Sequence, residues 1–123
     1  MSRSLSTTAL WILASAGLLA LGAGVATAHH GWSGYDSSKE LTLTGTIKES
    51  GYEHPHGGIR LQTPDKTWSV VLAPPSRMEN RGLTRQMLAA GTTATVVGYP
   101  SRTDPDEVRA ERITISGKTT ELR

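Results

Sequence analysis

Apolar residues that alternate with polar ones, prolines and glycines closing those runs, and no helical stretch long enough to cross between parallel strands together predict an all-β domain. The first run has Leu41, Leu43 and Ile47 against Thr42, Thr44, Thr46 and Lys48, a half-buried strand in which Gly45 suits a bulge or bend. A second strand is expected over Gly58 to Thr63 with Ile59 and Leu61 inward. Pro64-Asp65-Lys66 reads as a turn, and Trp68, Val70 and Leu72 mark the inner face of a third strand. Pro74-Pro75 ends it, because proline brings no ladder donor and restricts the residue before it.

Between Ser76 and Ala90 the pattern is helical in short pieces. Ser76 is placed to cap a turn through Asn80, with Gly82 as its left-handed stop. Thr84 is placed to cap a second turn containing Arg85, Gln86, Met87 and Leu88, ended by Gly91. Thr92 to Tyr99 resumes alternation with Ala94, Val96 and Gly98 on one face. Ser101 to Asp106 is a polar loop, Val108 to Ile115 a fifth strand, and Ser116-Gly117-Lys118 turns the chain toward a short strand ending at Leu122. Three strands, a short helical insertion, then two strands is the element order of an OB-fold, so the expectation is a small five-stranded antiparallel barrel over residues 40–123. A small β-sandwich stays open, since element order does not set strand pairing. The expected core is Leu41, Leu43, Ile47, Leu61, Trp68, Val70, Leu72, Val96 and Ile113.

The N-terminal stretch reads as a secretory signal peptide over residues 1–28. Arg3 supplies the positive start, Ala9 to Leu21 the apolar run, and Ala26-Thr27-Ala28 the small side chains a signal peptidase checks. The run is shorter than the roughly 20 apolar residues of a transmembrane helix. The expected product is periplasmic or secreted, without stable membrane insertion after cleavage, and residues 29–39 form a tail ahead of the barrel. Only Arg3 of the 13 basic residues is lost with the signal, leaving a charge near +1 against 11 acidic residues, too balanced for a nucleic-acid partner. There is no cysteine, so stability rests on pairing and packing.

Several segments occur in a familiar order: His29-His30-Gly31-Trp32, Leu43-Thr44-Gly45-Thr46-Ile47, Pro55-His56-Gly57-Gly58-Ile59, Trp68-Ser69-Val70-Val71-Leu72, Arg81-Gly82-Leu83-Thr84, Gly91 to Pro100 and Arg109 to Ile115. Together they resemble an uncharacterised family of secreted bacterial proteins, a domain of unknown function, over nearly the whole mature chain. Members commonly carry Asn-Pro-His where this chain has His54-Pro55-His56. The resemblance implies a compact β domain outside the cytoplasm and brings no catalytic residues.

All four histidines, His29, His30, His54 and His56, fall in the first 28 residues after the expected cleavage. A terminal His29 offers an amine and an imidazole together, donors suited to Cu(II). His54 and His56 lie in the loop between strands one and two, beside Tyr52 and Glu53, and that loop borders the ligand face of OB-folds. Cu(I) would find only the thioethers of Met78 and Met87, and Zn(II) a fourth ligand in Glu53 or Asp36. Against this stands the plain alternative that terminal and loop histidines are solvated surface groups.

Trp32, Tyr35, Tyr52, Trp68 and Tyr99 offer a stacking platform for a planar ligand, although alternation assigns Trp68 to the core. Arg77, Arg81 and Arg85 recur every four residues, but Gly82 breaks the helix between them and a solvated face is expected. Gly117-Lys118-Thr119 imitates the end of a phosphate-binding loop, yet Arg112 holds the upstream glycine position. Ser33, Ser69 and Ser76 lack a glycine-framed nucleophile elbow. These observations favour a non-enzymatic periplasmic binding or accessory domain, with copper(II) the first ligand. The alternative is a module that docks an envelope protein or small ligand through Tyr52 to Gly58. A copper-dependent oxidative enzyme with a terminal histidine is the one enzymatic reading.

Overall fold

The computed structural model describes residues 31–123, so His29, His30 and the expected signal peptide lie outside the described residues. Six strands carry the domain: β1 Leu41–Gly51, β2 Gly58–Gln62, β3 Thr67–Val71, β4 Thr93–Pro100, β5 Glu107–Ile115 and β6 Lys118–Glu121. A helix α1, Pro75–Asn80, and a 3₁₀ turn, Arg85–Leu88, lie between β3 and β4.

The hydrogen-bonded order is β3-β2-β1-β4-β5-β6, and a further β3–β5 pairing closes the first five strands into a barrel. That closing pair is parallel, with Ser69, Val70 and Val71 against Glu107, Val108 and Arg109. The barrel is therefore mixed, where alternation alone suggested purely antiparallel pairing. Periodicity sets which face is inward and says nothing of strand direction at the seam. Beyond Arg109, β5 leaves β3 and pairs with β6 through a two-residue turn. Ser116 and Gly117 both have positive φ there, as the tight hairpin geometry demands.

Strand β1 is shared. Its first half pairs with β4 and its second with β2, with a register shift between Ile47 and Glu49. Gly45 is needed for close approach, since a Cβ there would lie 2.2 Å from the Gln62 carbonyl oxygen. On the outer face, Thr44 meets Thr95 at 2.9 Å and Thr114 meets Thr119 at 2.7 Å, cross-strand hydroxyl pairs that tie the ladders.

The core holds Ile47, Leu61, Val70, Leu72, Val96 and Ile113 as expected, joined by Ile59, Met78, Leu83, Leu88, Val108 and Leu122. Leu41, Leu43 and Trp68 are only partly buried against it. Leu41 and Leu43 lie on the half of β1 that lacks β2, so one flank stays open. The insertion packs against the β1–β2 loop and the C-terminal residues, and Met78, Leu83 and Leu88 are buried in the core cluster. Its caps differ from expectation: Pro74 precedes α1 and Pro75 takes its first turn, so Ser76 lies inside the helix. Thr84 stands at the start of the 3₁₀ turn without a side-chain cap bond. Gly82 and Gly91 take the left-handed conformations their positions require.

Residues 31–36 do not run back along β1. They lie across the ends of β4 and β5, where Tyr35 bridges Ser101 and Asp36 N–H donates to the Pro100 carbonyl. The Tyr35 hydroxyl donates to the buried Glu107 carboxylate, the partner such a charge needs away from water. Burial and that carboxylate raise the Tyr35 phenol, burial raises Tyr52, and the bond to Glu111 raises Tyr99. A raised phenol favours the neutral form in the folded state. The stability it brings is complete below the ordinary tyrosine value of about 10 and falls as pH climbs toward the folded value. Urea midpoints should therefore decline above about pH 10. Tyr35→Phe should be less stable at neutral pH, with Glu107 unpaired, yet decline less steeply in alkali.

Candidate functional site

The loop between β1 and β2 is built to hold one histidine at the rim of a groove. Tyr52 is buried, and its hydroxyl donates to the Leu83 carbonyl, pinning the loop to the insertion. Gly57 N–H donates to the Ala73 carbonyl and Leu72 N–H to the Gly57 carbonyl, so the loop's end is stitched to the exit of β3. Gly57 fits because a Cβ would lie 2.6 Å from the Met78 terminal methyl and 2.9 Å from the Gly51 carbonyl. His56 stands just before this stitch, half-buried, with Nδ1 3.2 Å from the Gly57 carbonyl oxygen. A carbonyl only accepts, so in this contact Nδ1 is the donor. Imidazoles that ligate metals commonly hold their second nitrogen in this way.

His56 lines an open groove of about 440 Å³ on the outer face of β2 and β3. Gly51 and Gly58 face each other across the β1–β2 ladder, and above Gly51 a Cβ would meet nothing, which leaves the depression open. Arg60 and Ser69 face each other on the β2–β3 ladder along its wall, and Arg60 lies 4.0 Å from Glu49 on β1. This is the sheet face and loop with which OB-folds bind ligands. Alternation already turned Arg60 outward between Ile59 and Leu61. Nothing local to either segment signalled that Gly51 and Gly58 would meet.

His54 and Glu53 are exposed on the same loop. Among the described residues no group of three or more histidine, cysteine, aspartate or glutamate side chains is close enough to hold a metal. Met78 is fully buried and Met87 packs on the core, so neither thioether is presented to a ligand. Asp36 turns to Ser38, whose hydrogen bonds lower its carboxyl below the usual range.

The five aromatic residues do not make one platform. Trp32, Tyr35 and Tyr99 form one edge-to-face cluster, with Trp32 6.4 Å from Tyr35 and 6.1 Å from Tyr99. Trp68 instead sits beneath the Lys66 ammonium, and Tyr52 beneath Arg85. Trp32 is held between two guanidinium groups, Arg109 at 4.3 Å and Arg123 at 4.5 Å from its ring. Arg109 also donates to the Gly31 carbonyl at 2.7 Å. Burial lowers the Arg109 pKa, with Arg77 and Arg123 adding to that effect.

Barrel closure sets where this clamp lies. Arg109 is the ladder partner of Val71, and Val71 that of Gly58. The strand that anchors Gly31 is thus two strand spacings, roughly 10 Å, from the strand that follows His56.

A closed five-stranded mixed barrel with an extra strand and a short helical insertion before β4 defines a small OB-type fold. The chain belongs to the Family of unknown function (DUF6152), whose model matches residues 16–108. No curated protein matches the sequence. Two solved structures of TiaS are similar to it in fold, each over 69% of this chain. One is a ZRD-deleted mutant in complex with agmatine, at 22% identity and a TM-score of 0.49, with 24% of that chain covered. The other is a complex of TiaS with a tRNA and ATP, at 20% identity and a TM-score of 0.48, with 19% of that chain covered. The chain therefore spans a quarter or less of those proteins. Among the described residues, no helix is long and apolar enough to cross a membrane.

Proposed function

We propose that this protein is an exported, non-enzymatic binding domain whose ligand site is the groove rim at His56, with Cu(II) its first ligand. The observation that carries the proposal is the His56 ring, set at the rim of an open groove with Nδ1 against a backbone carbonyl. The export step rests on Ala26-Thr27-Ala28, cleavage after which would leave His29 and His30 two residues or fewer from the anchored Gly31. The clamp on Gly31 and Trp32 supports convergence, since it starts the terminal segment near the groove rather than at the far end of β1. His56, with the amine and imidazole of His29, then supplies three nitrogen donors, and His54 or His30 a fourth.

Docking of an envelope protein on the same loop without metal is the second reading. It is favoured by the exposed His54 and Glu53 beside a pinned Tyr52. Cu(II) affinity measured by chelator competition separates the two. His56→Ala should weaken binding at least about tenfold, and binding should fall as pH drops through roughly 6–7, where imidazole is protonated. Equal affinity in parent, His54→Ala and His56→Ala would assign copper capture to the terminus alone and leave docking as the function.

A further inference from the structure

We propose that the surface formed by α1, β6 and the clamp on Trp32 is a docking face for an anionic phospholipid bilayer. None of its cations lines the groove. Arg77 donates to the Leu122 carbonyl at 3.0 Å, and Arg81 to the Glu121 carbonyl at 2.8 Å and to an α-carboxylate oxygen of Arg123 at 3.2 Å. Lys118 donates to the Gly82 carbonyl at 3.0 Å, and Arg109 to the Gly31 carbonyl. None of these four is within ion-pair distance of an aspartate or glutamate carboxylate among the described residues.

A neutral carbonyl fixes a cationic head without cancelling its charge. Arg77, Lys118 and Arg109 are held in this way, and the ordering cost a flexible side chain would incur on binding is already met. The heads are contiguous. Lys118 bonds the residue that follows Arg81, Arg77 and Arg81 bond neighbouring residues 121–123, and Arg109 and Arg123 both lie over Trp32. The carboxylates at the margin are engaged: Glu121 with Arg112, and Glu111 with Arg112, Arg123 and Tyr99. A row of fixed cations with a half-buried tryptophan at its edge matches lipid phosphates with the headgroup boundary beside them.

The test is co-sedimentation of the mature protein with vesicles of phosphatidylcholine alone or mixed with phosphatidylglycerol. Retention should require phosphatidylglycerol and vanish at about 1 M salt, where screening reaches to ~3 Å. Each surface cation contributes about a fivefold factor, so the double variant Arg77→Gln, Lys118→Gln should bind roughly 20-fold more weakly. Arg77→Lys, which keeps the charge, should bind as the parent does, and so should Lys48→Gln on the exposed side of β1. Retention on phosphatidylcholine alone, retention unmoved by salt, or saturable inorganic phosphate binding without vesicle retention would overturn the proposal.

Discussion

Gly98→Ala should strongly destabilise the native fold. On β4 the Gly98 position faces β5 where the register shifts, and a Cβ there would lie 2.2 Å from the Arg109 carbonyl oxygen and 2.9 Å from the Ala110 Cα. Both are backbone atoms, so no rotamer change relieves the overlap. The two strands would have to part at the place where β5 turns from β3 to β6, and where Arg109 carries the clamp. A loss above about 3 kcal/mol is expected, from overpacking together with broken ladder bonds. Chemical denaturation of the purified variant measures it. A change under about 1 kcal/mol would mean that β4 and β5 are not so closely apposed.

The second large effect separates two leucines that alternation treats alike. Leu61 is fully buried on β2, between β1 and β3, and Leu61→Ala should cost about 2–5 kcal/mol. Leu41, half-buried on the open half of β1, should cost clearly less when cut to alanine, about 1 kcal/mol. Urea denaturation midpoints of the two variants compare them directly. Equal losses would place Leu41 in the core after all.

These two leucines show what alternation can and cannot say. Period two places Ile59, Leu61, Val70, Val96 and Ile113 on the inner face, because an inward residue must be followed by an outward one. It cannot report that β1 divides its length between two partners, which leaves Leu41 and Leu43 with an open flank. Nor can it report that the seam between β3 and β5 is parallel, since direction at closure depends on residues far apart in the chain. The buried Met78, Leu83 and Leu88 lie in pieces too short for a helical period to show, so their part in the core emerges only from the packing of the folded chain.

The site divides the same way. The loop holding His54 and His56 was legible because it falls between two clear strands of an OB-type order. The groove below it was not, because it is made by absent side chains at Gly51 and Gly58, seven residues apart. Trp32 was legible as an aromatic residue but not as the filling between Arg109 and Arg123, far along the sequence. The arginine series Arg77, Arg81 and Arg85 was visible as a spacing, while its backbone carbonyl partners depend on where the last strand and Tyr52 fold.

The most direct test of the proposed site is amide NMR of the mature protein titrated with substoichiometric Cu(II), whose paramagnetism broadens nearby signals. Broadening should appear together at Gly31, His56, Gly58 and Val71, because barrel closure leaves only β3 between the strand that anchors Gly31 and the strand that follows His56. Broadening confined to Gly31, Trp32 and Ser33, with His56 and Gly58 sharp, would contradict it.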